Sequence, residues 1–536
     1  MNKTHIIKLE KIIDNKTQKK MESIIKSKYS FNNIIIRLNK NFKIEATTNQ
    51  KEIINYSRDW SNIDGNAQAL IKPKSEFECA IILYLFNSLN IPITISAGRT
   101  NLTGSATPKG GIILTTEKLI SSKINVDLEN QTVSSPIGIY LEKMREEVLK
   151  QSSNKLIYPV DPTSREEAFV GGTISCNASG FVPGEQGATR FWVKEINFLF
   201  LNGFKIKIKR GDFISKKGIF IIKYPDGTCK ELPVLTYNYP QIKNASGPFS
   251  NPNGKVDFID LIIGSEGIFG MITKTKFKLK RKPKLNLDLF IPIKNENLAI
   301  KLYFYLTKIL KNNFNQLTAL EYFGYNSKKY MNHKEKLFIN DNEVGIYIQI
   351  PVCDKSFEDS IEQWFMYLSE SGCEIDLDSV LHLNNAKNWE TFFQARHSLP
   401  ANALSKVKQL NSISILTDTI VPPEKFKEYL KLCHKVLNES KIEYLLFGHL
   451  GDCHLHFHLI PTNEQQEKAI IVYNQLVKYS SQLGGVYSAE HGTGKRKRSD
   501  FIDCFGYKAV RQVKNCKKVF DPKFLLNRGN IIDFKN

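Results

Sequence analysis

The chain has 536 residues, and this length predicts two or three domains rather than a single core. Hydrophobic residues make up 41% and charged residues 24%, as in ordinary globular proteins. The formal net charge is +21. The lysines lie in short scattered runs without the interleaved arginines and aromatic residues of a base-stacking surface. We therefore expect no nucleic-acid partner.

The cysteines and the N-terminus both bear on the compartment. Nine cysteines without a CxxC pair exclude a disulfide framework and a cysteine-rich metal site, which indicates a reducing compartment. The opening "MNKTHIIKLEKIIDNK" lacks the uninterrupted apolar run of a signal peptide, so we predict a cytoplasmic protein. Residues 1–28 are compatible with an amphipathic helix, which either contacts the inner face of the membrane peripherally or packs on the chain's own domains.

The first half of the chain has the pattern of strands and helices in a compact domain. From Gln68 onward, "QALIKPKS" predicts a strand, "EFECAIILYLFNSLN" a helix with a buried face, and "IPITISAG" a strand that enters a glycine turn. Strand signals follow, and the turn pairs Asn202-Gly203 and Asp226-Gly227 predict hairpins. The proline-containing basic stretch at 281–284 is the predicted domain boundary.

The second half alternates helices such as "NLAIKLYFYLTKILKNN" with strands such as "EVGIYIQIPV" and "IEYLLFGHL". This pattern predicts an antiparallel sheet covered by helices on one face, and hence an α+β fold. We predict four segments: an N-terminal extension (1–50), a first domain (51–282), a second domain (283–500) and a C-terminal tail (501–536).

Three glycine-rich segments lie in the first half. In "ISAGRTNLTGSATPKGG", small residues let backbone N–H groups approach an anion and Thr100 and Thr103 add hydroxyl donors, so this segment is either a diphosphate cradle or a plain surface loop. "YPVDPTSREEAFVGGTISCNASGFVPGEQGATRFWV" is too short of bulky side chains to fill a core, which suggests that something else occupies the space. The third segment is "IIGSEGIFGMIT".

Jointly these segments resemble the FAD-binding domain of the vanillyl-alcohol oxidase or p-cresol methylhydroxylase (PCMH) superfamily, over about residues 55–280. The resemblance implies that FAD lies along them. Arg99 stands where the family has a small residue, and either strengthens phosphate binding or points outward. No histidine occurs between His5 and His333, so a histidyl link is excluded there and non-covalent FAD is expected. The cofactor-binding residues implied are Ala97, Gly98, Arg99, Thr100, Asn101, Leu102, Thr103, Gly104, Pro162, Thr163, Gly171, Gly172, Asn177, Ser179, Gly180, Gly267, Ile272 and, from the tail, Asn527.

Four of the ten histidines lie in "FGHLGDCHLHFH". On a regular strand His454, His456 and His458 share a face, and imidazoles with a carboxylate suit zinc and similar metals. The candidate carboxylate is Glu490, beside His491 in "GGVYSAEHGTGKRKR". The alternatives are structural core histidines and a capped loop.

The pair "HLGDCHLH" and "SAEHGTG" resembles the C-terminal domain of FAD-linked D-2-hydroxy acid dehydrogenases, including D-lactate dehydrogenases, the glycolate oxidase catalytic subunit and D-2-hydroxyglutarate dehydrogenase. The resemblance implies that His449, His456 and Glu490 hold a divalent metal, expected to be zinc, and that His491 is the catalytic base. It requires a turn between the two ligand histidines. His454 stands where the family has asparagine, and its role is open.

The same resemblance implies that Arg396, in "NWETFFQARHSLP", holds the substrate carboxylate, since a guanidinium binds a carboxylate bidentately. Leu416 replaces a family lysine, which leaves a second carboxylate contact in doubt. Asn527 in "FDPKFLLNRGNII" matches a tail that returns to the flavin region. The implied fold is a PCMH-type two-subdomain FAD-binding domain followed by an antiparallel-sheet, ferredoxin-like FAD-linked oxidase C-terminal domain.

These residues imply a reaction. A D-lactate-like 2-hydroxy acid would chelate the metal, His491 would take the hydroxyl proton, and hydride would pass from C2 to flavin N5. A quinone, a cytochrome, an electron-transfer flavoprotein or oxygen would reoxidise the flavin, and nothing in the sequence selects among them. Two alternatives remain: a non-redox FAD enzyme resembling alkylglycerone-phosphate synthase, and a basic zinc-containing nucleic-acid-binding protein, which would be colourless.

Overall fold

The structure is a computed structural model that describes residues 4–353 and 355–533. Two large hydrophobic cores occupy this part of the chain. The first is built from residues 7–279 and again from 477–532, and the second from residues 287–476. The change of core falls at the basic stretch where the sequence predicted a boundary, and the chain returns to the first core before residue 500. The limits of the four segments stay predictions, and residues 1–3 and 534–536 of the outer two lie outside the described chain.

Short strands build the sheets around the first core. In chain order they are β1 (Ile6–Lys8), β2 (Glu10–Lys11), β3 (Glu45–Thr47), β4 (Ala69–Lys72), β5 (Ile93–Ser96), β6 (Ile112–Thr115), β7 (Asn125–Asp127), β8 (Thr132–Pro136), β9 (Leu156–Ile157), β10 (Val193–Leu199), β11 (Phe204–Lys209), β12 (Ile219–Lys223), β13 (Cys229–Pro233), β14 (Met271–Lys278) and β15 (Lys280–Arg281).

Two of these sheets carry the predicted cofactor segments. A four-stranded sheet has the order β3-β4-β6-β5, with parallel pairing except at the β3 edge. An antiparallel six-stranded sheet has the order β2-β11-β10-β14-β8-β7. The predicted hairpins are confirmed, because β10 pairs with β11 around Asn202-Gly203 and β12 pairs with β13 around Asp226-Gly227.

The helices pack on these sheets and on the sheet of the second core. No helix in the described part of the chain is long and apolar enough to cross a membrane. The helices are α1 (Asn15–Lys26), α2 (Phe31–Phe42), α3 (Gln50–Ile53), α4 (Glu76–Ser88), α5 (Leu141–Gln151), α6 (Val170–Cys176), α7 (Thr189–Trp192), α8 (Phe258–Ile262), α9 (Glu296–Ile309), α10 (Phe357–Glu370), α11 (Ala386–Gln409), α12 (Phe426–Ser440), α13 (Gln466–Gln482) and α14 (Arg498–Phe520).

The N-terminal segment differs from the single amphipathic helix that its apolar spacing suggested. It forms β1 and β2 before α1 begins, with Ile7 paired to Ile222 and Lys11 to Phe204. These strands add to edges formed some 200 residues later, and a local pattern of apolar residues cannot reveal such partners. Ile7, Met21 and Leu38 are buried in the first core, so this segment packs on the chain's own fold.

An antiparallel seven-stranded sheet forms the centre of the second core. In chain order its strands are β16 (Leu285–Ile293), β17 (Ala319–Phe323), β18 (Val344–Val352), β19 (Leu381–His382), β20 (Ile415–Leu416), β21 (Glu443–His449) and β22 (His454–Ile460). Their order along the sheet is β19-β16-β18-β17-β21-β22-β20.

Helices cover this sheet on both faces, which corrects the prediction of one covered face. Alternate residues such as Leu289 and Ile291 pack with α9, α10, α12 and α13. Phe290, on the opposite face, packs with Phe392 and Leu399 of α11. The reason is that β16 has large apolar residues at successive positions, so both of its faces can be buried.

Candidate functional site

The histidine-rich segment forms the β21–β22 hairpin. His449 lies opposite His454 and Phe447 lies opposite His456, with residues 450–452 and the left-handed Cys453 (φ 56°) forming the turn. Successive strand residues alternate between faces. His449, His454, His456 and His458 therefore occupy the sheet face that α11 covers. The turn required by the resemblance is present, and the grouping of His454, His456 and His458 on one face is confirmed.

Four of the predicted or candidate ligands converge beyond this hairpin. One donor atom from each of His449, His454, His456 and Glu490 lies within 4.8 Å of the others. His449 Nε2 is 3.6 Å from Glu490 Oε2, and His456 Nε2 is 3.5 Å from Glu490 Oε1. All four side chains are largely removed from solvent. Convergent imidazoles and a carboxylate are a donor set that suits a divalent transition metal.

The two predicted ligand histidines are oriented through their other ring nitrogens. His449 Nδ1 donates to Glu321 Oε1 at 2.6 Å, and His456 Nδ1 donates to the carbonyl oxygen of Thr417 at 2.9 Å. Such bonds fix the tautomer that leaves Nε2 free to bind a metal. Burial disfavours the charged ring of His449, but Glu321 and Glu490 outweigh burial and raise its pKa to about 9. A metal would replace that proton.

His454 and His458 have different surroundings on the same strand. Among the described residues, neither ring nitrogen of His454 makes a hydrogen bond, although Nε2 lies 3.2 Å from Asp418 Oδ1. Burial and the neighbouring His456 lower the pKa of His454 to about 3, so the ring is neutral. His458 Nε2 is hydrogen-bonded to Ser414 Oγ at 2.8 Å. His458 is thus satisfied within the protein.

The predicted base, His491, is held by a fully buried aspartate. The backbone N–H of His491 donates to Asp418 Oδ2 at 3.0 Å, and Lys497 Nζ donates to the same oxygen at 2.9 Å. His491 Nε2 lies 3.5 Å from Glu490 Oε1. Burial lowers the pKa of His491, although the Asp418 and Glu490 carboxylates act in the opposite direction. Its imidazole is therefore neutral near pH 7 and can accept a proton.

A buried lysine from the first core reaches the same carboxylate cluster. Lys243 Nζ lies 3.1 Å from Glu490 Oε2 and 3.5 Å from Asp452 Oδ2, and its side chain is only 1% exposed. Gly180 of the second predicted cofactor segment accepts a bond from the same ammonium at 3.3 Å. The two cores therefore share this site.

Arg396 lies beside the histidine cluster on α11. Its Nη2 donates to Glu321 Oε2 at 3.3 Å, and its guanidinium stacks over the Phe181 ring at 4.3 Å. Burial acts to raise the pKa of Glu321, but His449 and Arg396 outweigh it and lower that pKa to about 2. Most of the guanidinium's N–H donors are not used by Glu321, so they can bind an incoming carboxylate.

The first predicted cofactor segment contacts the catalytic segment directly. Asn101 Nδ2 donates to the carbonyl oxygen of His491 at 3.3 Å, and Thr103 Oγ1 lies 3.4 Å from the same oxygen. The carbonyl oxygen of Thr103 accepts bonds from the N–H groups of Lys495 and Arg496. The position of His491 is therefore coupled to the loop that follows β5.

The three predicted cofactor segments also meet each other. A Cβ on Gly172 would lie 3.1 Å from Ala97 Cβ, and a Cβ on Gly267 would lie 2.5 Å from Asn527 Nδ2. Asn527 Oδ1 accepts from the N–H of Ile95 at 2.8 Å, and its Nδ2 donates to the carbonyl oxygen of Glu266. The C-terminal tail thus connects the first and third segments.

Several predicted cofactor residues already have protein partners. Arg99 stacks on the Tyr56 ring at 4.3 Å. Asn177 ends α6 in a left-handed conformation (φ 51°), and its amide bonds to the backbone of Asn244 and Arg190. Their side chains therefore stabilise the protein around the cradle, the space bordered by the three predicted cofactor segments. The other residues on these segments are exposed (Leu102, Thr163), half-buried (Gly98, Thr100, Pro162) or buried (Gly104, Gly171, Ile272).

Orphaned hydroxyls indicate that the cradle accepts a polar ligand. Among the described residues, the buried Oγ atoms of Ser96 and Ser179 and Oγ1 of Thr116 have no hydrogen-bond partner. Ser96 ends β5 and Ser179 is one of the predicted cofactor residues. Unsatisfied buried hydroxyls cost free energy unless a ligand bonds to them. The residues present therefore fit a polar ligand such as the FAD that the resemblance implies.

Four charged residues of this site were not among the predicted site residues. They are Glu321, Asp418, Lys243 and Lys497, which lie on separate elements and meet only through the fold. The one local signal was an acid in β17, a strand whose five residues are all buried. A buried acid in an apolar strand indicates a charged or metal partner.

Two families match the chain. The "FAD binding domain" family matches residues 67–208, and the "FAD linked oxidases, C-terminal domain" family matches residues 358–531. The first match contains the predicted cofactor loop with β10 and most of β11. The second contains α11, the histidine hairpin and the Glu490–His491 pair.

Relatives with related sequences span nearly the whole chain. A protein named D-lactate dehydrogenase from Anaerostipes hadrus is 25% identical over 529 residues, covering 94% of this chain and 99% of the relative. A protein named D-2-hydroxyglutarate dehydrogenase from Xanthomonas citri pv. viticola is 22% identical over 498 residues, covering 91% and 94%. The solved structure of p-cresol methylhydroxylase with substrate bound superposes with a TM-score of 0.66 at 14% identity, covering 94% of this chain and 98% of that one. This likeness shows the PCMH-type fold.

Proposed function

We propose that this chain, which belongs to the FAD-linked oxidase family, oxidises a small D-2-hydroxy acid such as D-lactate to the corresponding 2-oxo acid. Relatives named for the oxidation of D-lactate and D-2-hydroxyglutarate, together with a glycolate oxidase subunit, support the substrate class. The cofactors proposed are non-covalent FAD and a divalent metal.

The main support for this proposal is the contact between His491 and the first predicted cofactor segment. Asn101 and Thr103 hold the carbonyl oxygen of His491, while its ring lies 3.5 Å from Glu490. A ligand in the cradle and a metal bound by His449, His456 and Glu490 would thus both lie close to one neutral imidazole. Oxidation of a 2-hydroxy acid can use this combination, since it removes a proton from oxygen, which a base and a metal assist, and a hydride from C2, which FAD accepts.

When bound, FAD supplies the two-electron acceptor and the metal supplies a Lewis acid that lowers the pKa of the substrate hydroxyl. His491 accepts the hydroxyl proton, and Asp418 holds the backbone of His491 in place. Arg396 binds the substrate carboxylate, oriented by Glu321 and Phe181. Lys243 balances the negative charge of Glu490 and Asp452.

The redox balance requires a second substrate. Each turnover converts the C2–H and O–H bonds of the substrate into a carbonyl group and leaves FAD reduced by two electrons. We propose a quinone, a cytochrome or an electron-transfer flavoprotein as the acceptor that restores oxidised FAD.

Anaerobic flavin spectroscopy tests the proposal. D-lactate, glycolate and D-2-hydroxyglutarate are added separately to the purified yellow protein, and the flavin absorbance is followed. We expect one of these acids to bleach the flavin, and the matching L isomer of a chiral acid to leave it oxidised. A flavin that no hydroxy acid bleaches would refute the proposal and favour a non-redox flavoenzyme, and a protein unable to bind FAD would refute it entirely.

A further inference from the structure

We infer that His454 is a fourth protein ligand of the metal, which makes the centre a three-histidine, one-carboxylate site. The inference rests on the proposed function for the presence of a metal, and it assigns a role to a residue that the family pattern leaves unexplained. It predicts four protein ligands on the metal, one more than the three that the resemblance implies.

The first support is the position of the His454 ring. It belongs to the group whose donor atoms lie within 4.8 Å of one another, and its centroid is 4.5 Å from that of His456 and 5.6 Å from that of His449. The residue is 0% exposed. Its ring therefore faces the convergence point of the other ligands.

The second support is the lack of an internal partner. Neither nitrogen of His454 makes a hydrogen bond among the described residues, whereas His449 and His456 each use one nitrogen in a bond that leaves the other free. A fully buried imidazole without partners costs free energy, because both nitrogens lose their bonds to water. A metal ion supplies a partner for one of them.

Pairing with Asp418 explains the position of His454 less well. The Nε2–Oδ1 distance is 3.2 Å, but the pair lacks hydrogen-bond geometry. Asp418 already accepts bonds from Lys497 Nζ, Ser488 Oγ and the N–H groups of Glu490 and His491. Three of these bonds reach Oδ2 and one, from Glu490, reaches Oδ1, so Asp418 is held in place and its charge is balanced by Lys497 without His454.

A fourth ligand also bears on which metal the site prefers. A substrate that binds through hydroxyl and carboxylate would bring the coordination number to six, whereas catalytic zinc usually has three protein ligands and an open position. Six nitrogen and oxygen ligands suit metals that accept octahedral coordination, such as Mn²⁺ or Fe²⁺. Elemental analysis of protein purified without added metal checks this consequence.

Zinc binding to full-length holoenzyme tests the assignment without measuring turnover. The metal is removed by chelation, Zn²⁺ is titrated back against a competing chelator, and X-ray absorption at the zinc edge counts imidazole ligands. We expect three imidazoles in the wild-type protein and two in His454→Asn. We also expect zinc affinity to fall in the variant by at least the roughly 10- to 100-fold that loss of a group supporting a ligand costs, because His454 would bind the metal directly.

His458→Asn is the matched control, because His458 is buried on the same face of β22 but bonds to Ser414. It should keep wild-type zinc affinity and three imidazoles. Two imidazoles in the wild-type protein, or unchanged affinity in His454→Asn, would overturn the assignment. A wild-type count of two decides against the assignment whether or not His454→Asn folds. If the wild-type protein shows two imidazoles but a hydroxy acid reduces its flavin, the proposed function stands and only the His454 assignment fails. If the wild-type protein binds no zinc and no hydroxy acid reduces its flavin, both the assignment and the proposed function fail.

Discussion

At the scale of single residues, His491 is the proposed proton acceptor. His491→Asn keeps the backbone bonds to Asp418 and Asn101 but removes the basic ring nitrogen. We expect flavin reduction by the hydroxy acid to slow by about 10² to 10⁴-fold, the usual contribution of a general base, with FAD content unchanged. Anaerobic stopped-flow absorbance measures the rate. His458→Asn should react like the wild type, and a wild-type rate in His491→Asn would assign the base elsewhere.

Glu321 is proposed to orient His449 toward the metal. In Glu321→Gln the charge that accepts the His449 Nδ1 bond is lost, and we expect metal affinity to fall by about 10- to 100-fold. Competition with a chelator of known affinity measures this change. Asp288→Asn is the control, since Asp288 is a buried acid on the same sheet that bonds to Tyr347. Equal affinities in the two variants would contradict the orienting role.

The sequence predicted only part of this residue set. The resemblance identified His449, His456, Glu490 and His491, and strand alternation placed three of the four clustered histidines on one face. Glu321 was not predicted, because its contact with His449 follows from the register in which β17 pairs with β21, more than a hundred residues away. Sheet register is set by the packing of whole faces rather than by local sequence.

At the scale of elements, the contact between the loop after β5 and the Glu490–His491 segment couples the cofactor cradle to the base. Gly494 has φ of 53°, and a Cβ there would lie 2.2 Å from the carbonyl oxygen of Thr103. In Gly494→Ala the two segments must separate. We expect FAD to bind about tenfold more weakly or worse, because strain of this kind costs about 1–3 kcal/mol.

Gly227→Ala is the control for that substitution. Gly227 also has a positive φ, of 87°, but its Cβ would meet nothing within 4 Å, so only backbone strain is added. FAD retention on gel filtration, followed by its visible absorbance, compares the two variants. Retention of FAD by Gly494→Ala at the level of Gly227→Ala would show that the contact does not support the cradle.

Asp257, the N-cap of α8, predicts a pH-dependent stability. Burial and the nearby Asp260 raise its pKa to about 6, from 3.8. The folded protein thus retains a proton that the unfolded chain releases, and this stabilisation is lost as pH rises from about 4 to above 6. We expect the wild type to lose about 2 kcal/mol relative to Asp257→Asn over this range, after allowing for partial exposure.

Denaturant unfolding of both proteins at pH 4.5 and pH 7.5 would measure the difference. Asn keeps the capping oxygen, so the variant should be nearly insensitive to pH at this position. Parallel stability curves for the two proteins would contradict the raised pKa.

Local pattern predicted some elements and missed others. The β4–α4–β5 unit and both hairpins followed from strand alternation and turn residues. The strands β1 and β2 and the second covered face of the seven-stranded sheet did not. In both cases the missing information is a distant partner: the edges of β11 and β12 for the first, and α11 for the second.

At the scale of the whole molecule, the proposed site lies where the two cores meet. The part of the chain before residue 280 contributes the cradle, Phe181 and Lys243, and the part between residues 287 and 476 contributes the histidine hairpin and Arg396. The C-terminal tail connects back to the cradle through Asn527. Neither half contains the proposed chemistry alone, so the two are expected to act as one unit.

The proposed metal is the group on which these contributions converge, so its removal tests the proposed function most directly. The holoenzyme is treated with chelator and dialysed, then mixed anaerobically with the hydroxy acid that reduces the untreated protein. We expect the hydroxy acid to leave the flavin of the metal-free protein oxidised. Dithionite, as a control, should still bleach this flavin, and bleaching by the hydroxy acid should return once Zn²⁺ or Mn²⁺ is restored. Undiminished bleaching of the metal-free protein by the hydroxy acid would contradict metal-assisted oxidation.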